Sequence, residues 1–234
     1  MKKLIFLCTV FLLSIIMYSP ITNAEENFKT SIPLEKPDLS KPFVPLTDQE
    51  LQKIRNSGKD YTVELTYEQA IERAAEISGK SIEKLKKENP NTCPSIAKTS
   101  NKTEKSINGY ATTASTCSWL EKTTSHTVKS WTAKLIVMPQ VCRDGSFGWV
   151  NTSKKPLLQE FKASTKNFSG TIKVDLRDNG YYYVVNGKFY EDTTVTHNGT
   201  TGANAIWTAT YSVSSTSNVY GSLYTGLKWH KVVN

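Results

Sequence analysis

Long apolar runs are scarce in this 234-residue chain. Only one stretch, Leu4 to Met17, exceeds a dozen residues, which excludes a multi-pass membrane protein. Histidine is almost missing: His126, His197 and His230 are the whole complement, and none sits in an HExxH, GxSxG or other recognised catalytic frame. The four cysteines show no CxxC spacing and the histidines no HxxxH spacing, so no metal site is indicated and no cofactor is expected. A phosphate-cradling glycine loop, an EF-hand loop and a run of lysines are absent too, so nucleic acid is not an expected partner. With seven acids after Gly109, a pair for glycoside hydrolysis can always be drawn from Asp144, Asp175, Asp178, Glu191 and Asp192, and it carries almost no information.

What is present first is an export pattern. Met1-Lys2-Lys3, the apolar run, Pro20 and Thr22-Asn23-Ala24 have the layout of a secretory signal peptide over residues 1–24, with cleavage expected after Ala24. The run is too short to span a bilayer of about 30 Å comfortably. Cys8 lies too early to be a lipid-modified cleavage site, so the expectation is a soluble secreted protein rather than a membrane-anchored one. The processed chain of 210 residues would carry 27 Lys/Arg against 21 Asp/Glu and keep Cys93, Cys117 and Cys142. In an oxidising compartment that means one disulfide with a thiol left over, or an intermolecular bridge. Cys117–Cys142 is preferred and Cys93–Cys117 second, because both close modest loops.

Composition divides the processed chain. Residues 25–108 hold 14 basic and 14 acidic side chains and only four aromatics, whereas 109–234 hold all five tryptophans, eight tyrosines and four phenylalanines. Large rings bury the most apolar area, so the stable core is expected in the second half. Residues 25–47, with Pro33, Pro37, Pro42 and Pro45, read as an extended linker. Residues 48–92 read as a small helical region. Thr47-Asp48-Gln49-Glu50 and Thr66-Tyr67-Glu68-Gln69 both have capping-box spacing. Ile71, Ala74, Ala75 and Ser78 make a narrow apolar stripe, Gly79 ends that helix, and Ser81 can cap another before Asn89-Pro90. Residues 93–108 are a polar connector of Lys, Ser, Thr and Asn.

Tyr61-Thr62-Val63, Ala74-Ala75, Gly79, Ser81-Ile82, Leu85 and Asn89-Pro90-Asn91 resemble the first three-quarters of a lysin-motif module. The resemblance implies a βααβ unit that binds N-acetylglucosamine polymers. The Gly-Asp-Thr loop typical of that family is missing, and Thr92-Cys93-Pro94 follows where a second strand would begin. The segment is therefore read as a helical hairpin that docks on the rest of the chain.

From Gly109 onward the hydrophobic period is two. Trp131, Ala133, Leu135 and Val137 alternate with polar residues, as do Ile172, Val174 and Leu176, and later Ala205, Trp207, Ala209, Tyr211 and Val213. Turn signals fall at Asp178-Asn179-Gly180, Asn186-Gly187 and Asn198-Gly199. About eight short strands without an intervening helix predict a mainly β, antiparallel domain over 109–234. A β-sandwich is preferred to a β-barrel because the strands are uneven in length.

A hairpin at Asn186-Gly187 would set Tyr182 and Tyr190 side by side on its outer face, an aromatic platform of the kind that stacks on sugar rings. Trp149, in Gly145-Ser146-Phe147-Gly148-Trp149, is a second candidate at a loop edge. Asp192 and His197, five apart on one expected strand, face opposite sides and make no dyad. The expectation is a secreted, non-enzymatic protein that binds an anionic cell-wall polymer or other extracellular polysaccharide through Tyr182, Tyr190 and Trp149. An exported hydrolase, and a membrane-active toxin or inhibitor-type protein, are the competing readings.

Overall fold

A computed structural model describes residues 37–94, 115–145, 147–162, 165–191, 193–214 and 218–232. The export segment and most of the linker and polar connector lie outside them, as does Asp192. Helix α1 (Asp48–Asn56) begins where Thr47 Oγ1 accepts from the Glu50 N–H and the Glu50 carboxylate accepts from the Thr47 N–H. Helix α2 (Tyr67–Ser78) starts with the same reciprocal pair, Thr66 and Gln69, and ends at Gly79, φ +68°. Helix α3 (Ile82–Glu88) is capped by Ser81. Strand β1 (Tyr61–Leu65) runs between α1 and α2, so the segment 48–92 supplies a strand as well as helices.

The first sheet joins β1 to β2 (Thr116–Val128), β3 (Trp131–Met138), β4 (Gln140–Asp144), β5 (Phe147–Val150) and β6 (Leu158–Lys162). β2 is its backbone: β3 pairs with 122–128 and β4 with 116–119, the interruption falling at Pro139, which has no N–H to give to a ladder. The second sheet has the order β11-β8-β7-β10-β9, from β7 (Asn167–Arg177), β8 (Gly180–Tyr190), β9 (Val195–Ala203), β10 (Ile206–Val213) and β11 (Val219–Tyr224). β12 (Lys228–Lys231) continues along the same edge of β8 as β11. Every pairing is antiparallel. The sheets lie face to face and do not close, so the architecture is a sandwich and not a barrel.

Between the sheets, the rings of Phe161, Phe168 and Phe189 sit 4.9–5.4 Å apart, surrounded by Leu120, Leu135, Ile172, Val174 and Leu176. A second apolar layer separates the helices from the outer face of the first sheet, where Leu51, Ile54, Ile71 and Leu85 are buried with Trp119, Ile136 and Met138. The buried acids Glu121 and Glu64 are each paired with arginine. Glu121, fully buried, accepts from Arg55 Nη2 (2.8 Å), Arg73 Nε (3.0 Å) and the Tyr61 hydroxyl (2.7 Å). Burial and this carboxylate push the Tyr61 phenol up to about 12. Glu64 is gripped by both terminal nitrogens of Arg143 and by Ser118. Pairing offsets part of their desolvation, although Arg143 Nε is buried without a hydrogen-bond partner, and the pairs fix how the helices and β1 seat on β2. Cys117 and Cys142 stand opposite one another on β2 and β4 and form the disulfide. Cys93 is free and exposed.

The turn expected at Asn186-Gly187 does not exist. β8 runs straight through both residues, and the chain reverses at Asp178-Asn179, where Arg177 pairs with Gly180. The glycine serves close packing instead. Gly187 lies opposite Gly170, and a Cβ on it would come within 2.4 Å of the Ser169 carbonyl and 2.5 Å of the Phe168 ring. Asn198-Gly199 likewise sits inside β9 at a bulge, and the reversal falls at Asn204-Ala205, both with positive φ.

Candidate functional site

Each strand offers two faces, and three of the four sheet faces are covered. Those between the sheets form the core, and the main helix contacts fall on β1, β2 and β6 of the first sheet. The outer face of the second sheet has no element over it among the described residues. The registers of β8 with β7, β11 and β12 identify its occupants. Tyr182, Val184, Asn186, Lys188 and Tyr190 come from β8. Thr171, Lys173, Asp175 and Arg177 come from β7, Ser222 and Tyr224 from β11, and Trp229 and Lys231 from β12.

Two aromatic rings meet at one end of this face. Tyr182 is directly opposite Trp229, and their rings lie 4.6 Å apart at 47°. Trp229 is 39% exposed and Tyr224 73%. The floor beneath Trp229 is Gly180: a Cβ there would meet the indole at 2.8 Å and the His230 carbonyl at 2.2 Å, so the ring can lie down only because position 180 has no side chain. Asp175, next to Tyr182 on β7, accepts from Arg177 Nη2 at 2.6 Å. Lys173 and Lys188 are exposed. Chemically the surface is a partly wet aromatic pair beside separate ammonium groups and threonine hydroxyls, on a flat scaffold.

Of the three residues singled out from the sequence, Tyr182 belongs to this pair. Tyr190 lies on the same face but eight residues further along the same strand, roughly 27 Å away at 3.4 Å per residue. The expected side-by-side platform is thereby corrected, for the reason given above: no hairpin separates the two tyrosines. Trp149 is on the first sheet, half-buried on β5, its ring stacked on Phe147 at 5.8 Å and 23°. Sequence reasoning missed Trp229 and Tyr224. The available signal was the alternation of Lys228-Trp229-His230-Lys231, which turns Trp229 and His230 to opposite faces.

Elsewhere, the three histidines and Glu160 are partly buried. His197 stacks on Tyr211 at 4.9 Å, with Nε2 3.2 Å from the Thr200 hydroxyl, and burial lowers its pKa. It shares with Glu160 a crevice of about 20 Å³, room for about one water molecule. Burial pushes the Glu160 carboxyl up to about 7. His126 lies edge-on to Phe161 and Tyr183 and is also lowered by burial. His230 faces inward, edge-on to Tyr181, 3.3 Å from the Thr124 hydroxyl. Among the described residues no three His, Cys, Asp or Glu side chains converge as a metal site would require. No family model, curated protein or solved structure matches this chain.

Proposed function

We propose that this protein is an exported, non-catalytic binder of an anionic extracellular polysaccharide, such as an acidic cell-wall polymer, and that the chain lies across the uncovered face of the second sheet. One observation carries the reading: Tyr182 and Trp229 form an aromatic pair on a sheet face that no element covers among the described residues, flanked by Lys173 and Lys231, with Lys188 about 20 Å further along β8. An aromatic surface takes the apolar face of a sugar ring, while dispersed ammonium groups attract a polyanion without demanding a single register. The N-terminal export pattern supports placement outside the cell, and the Cys117–Cys142 bridge suits an oxidising compartment.

The test is co-sedimentation with insoluble acidic wall polysaccharide. Tyr182→Ala with Trp229→Ala is expected to weaken retention at least tenfold. Lys173→Glu with Lys188→Glu, which changes exposed side chains only, is expected to abolish retention at low salt. Both should leave the melting temperature within a few degrees of the parent. Retention equal to that of the parent in either double variant overturns the proposal.

A further inference from the structure

A second concavity opens at the end of the sandwich where the β7–β8 turn comes close to β5. Its volume is about 750 Å³, within the range of small-molecule sites. Its rim is held by backbone bonds between elements, Val150 N–H to Asp178 O (2.8 Å), Leu176 N–H to Ala205 O (2.8 Å) and Val232 N–H to Asn179 O (2.9 Å). The cleft is thus formed in advance, so a ligand does not have to order it. Two features of its lining point to a ligand. Phe147 lines the cleft, is 66% exposed and has its ring stacked on Trp149. Around it stand Asp38, Ser40, Thr152, Asp178 and Asn179, a set of carboxylates, hydroxyls and an amide. Asp38 is held in place by the Ser40 N–H (3.0 Å) and hydroxyl (2.6 Å) and by Lys41 (3.1 Å).

An open ring beside several acceptors and an amide fits a sugar ring, whose apolar face stacks while its hydroxyls donate. The lining sets two carboxylates, Asp38 and Asp178, against one guanidinium, Arg177, so it offers no net positive charge to hold an anion. The cleft is also continuous with the aromatic face, because Arg177 both lines it and pairs with Gly180 under Trp229. We infer that the cleft is a subsite for a neutral, hydroxyl-rich sugar ring, and that the polymer bound on the face alternates neutral with acidic residues. This inference rests on the function proposed above.

Two probes separate the inference from that function: hyaluronate, which alternates glucuronate with a neutral N-acetylated amino sugar, and polyglutamate, a polyanion without sugar rings. Phe147→Ala with Asn179→Ala is expected to lose at least tenfold in affinity for hyaluronate and to keep its affinity for polyglutamate. Lys173→Glu with Lys188→Glu should lose both. Unchanged hyaluronate affinity in the Phe147/Asn179 variant, or an equal loss on both polymers, overturns the subsite and leaves the face standing if the lysine variant still loses both. Failure of the parent protein to bind hyaluronate overturns the subsite, and the proposed function falls with it only when retention on acidic wall polysaccharide fails as well.

Discussion

Replacing Glu160 by Gln should change how stability depends on pH, and the size and sign follow from where the carboxyl sits. Glu160 is on β6, in the crevice shared with Lys80, Glu88, Lys155 and His197. Burial lifts its pKa from the ordinary 4.5 to about 7, with Lys80 opposing the shift. A carboxyl whose pKa is higher in the fold than in the unfolded chain favours folding when protonated. Its contribution is therefore complete below about pH 4.5, fades as pH rises, and is gone above about 7. At 1.36 kcal/mol for each pH unit between those values, the swing is about 3 kcal/mol, an upper figure because the side chain keeps some contact with water. Gln is neutral throughout. Asp38, Glu50 and Glu76, whose pKa values are lowered by their hydrogen bonds, act with the opposite sign but cancel when the two proteins are subtracted. Urea denaturation at pH 4.5, 6, 7 and 8, followed by tryptophan emission, should show the parent losing roughly 2–3 kcal/mol relative to Glu160→Gln across this range. A flat difference, or a parent that gains relative to the variant as pH rises, refutes the reasoning.

Gly180→Ala should push β12 away from β8, shifting Trp229 emission to the red and bringing polysaccharide retention down toward that of Trp229→Ala; a Trp229→Phe background identifies the signal. Glu121→Ala leaves the Arg55 and Arg73 guanidiniums without their buried acceptor and should cost about 3–5 kcal/mol in urea unfolding, with Glu121→Gln costing less. Polymer retention by the folded fraction of either Glu121 variant should equal that of the parent, since the helical layer covers the other sheet. Replacing Cys117 and Cys142 by Ala opens a loop of 25 residues and should lower stability by about 3.5 kcal/mol, and reduction of the parent protein should reproduce that loss.

Local chemistry was legible in the sequence wherever it acts within a few residues. Thr47 with Glu50 and Thr66 with Gln69 close the capping boxes their spacing predicts, and Gly79 ends α2. The preferred pairing of Cys117 with Cys142, 25 residues apart, is the one that forms. The period-two runs give strands on two sheets of a sandwich. What sequence could not decide was which of several competent turn signals the tertiary structure uses. Asn186-Gly187 is the stronger local hairpin former, yet Asp178-Asn179 makes the turn. A reversal at 186–187 would break the long β7–β8 ladder that buries Tyr181, Tyr183, Val185 and Phe189. That one choice moved Tyr190 about 27 Å from Tyr182 along the strand. It freed Tyr182 to meet Trp229, a partner 47 residues later that no local pattern links to it.

The two sheets differ in what their outward positions demand. On the first sheet those positions include Leu65, Trp119, Ile136 and Met138, all buried, and leaving them in water would forfeit about 1.5–3 kcal/mol for each large side chain. The segment 48–92 lies over them and matches the buried acid Glu121 with two arginines. On the second sheet the corresponding positions are mostly Thr171, Lys173, Lys188, Thr208 and Thr210, which gain nothing from a cover and would be costly to desolvate. The covering layer is thus directed to one side by the side chains themselves. Within the polar face, Tyr182 and Trp229 depart from the pattern, and Gly180 opposite Lys231 is the residue that lets them lie together. An aromatic pair that core packing does not require, kept in place by a glycine whose cost is a weakened strand end, is what the polymer-binding proposal puts to use.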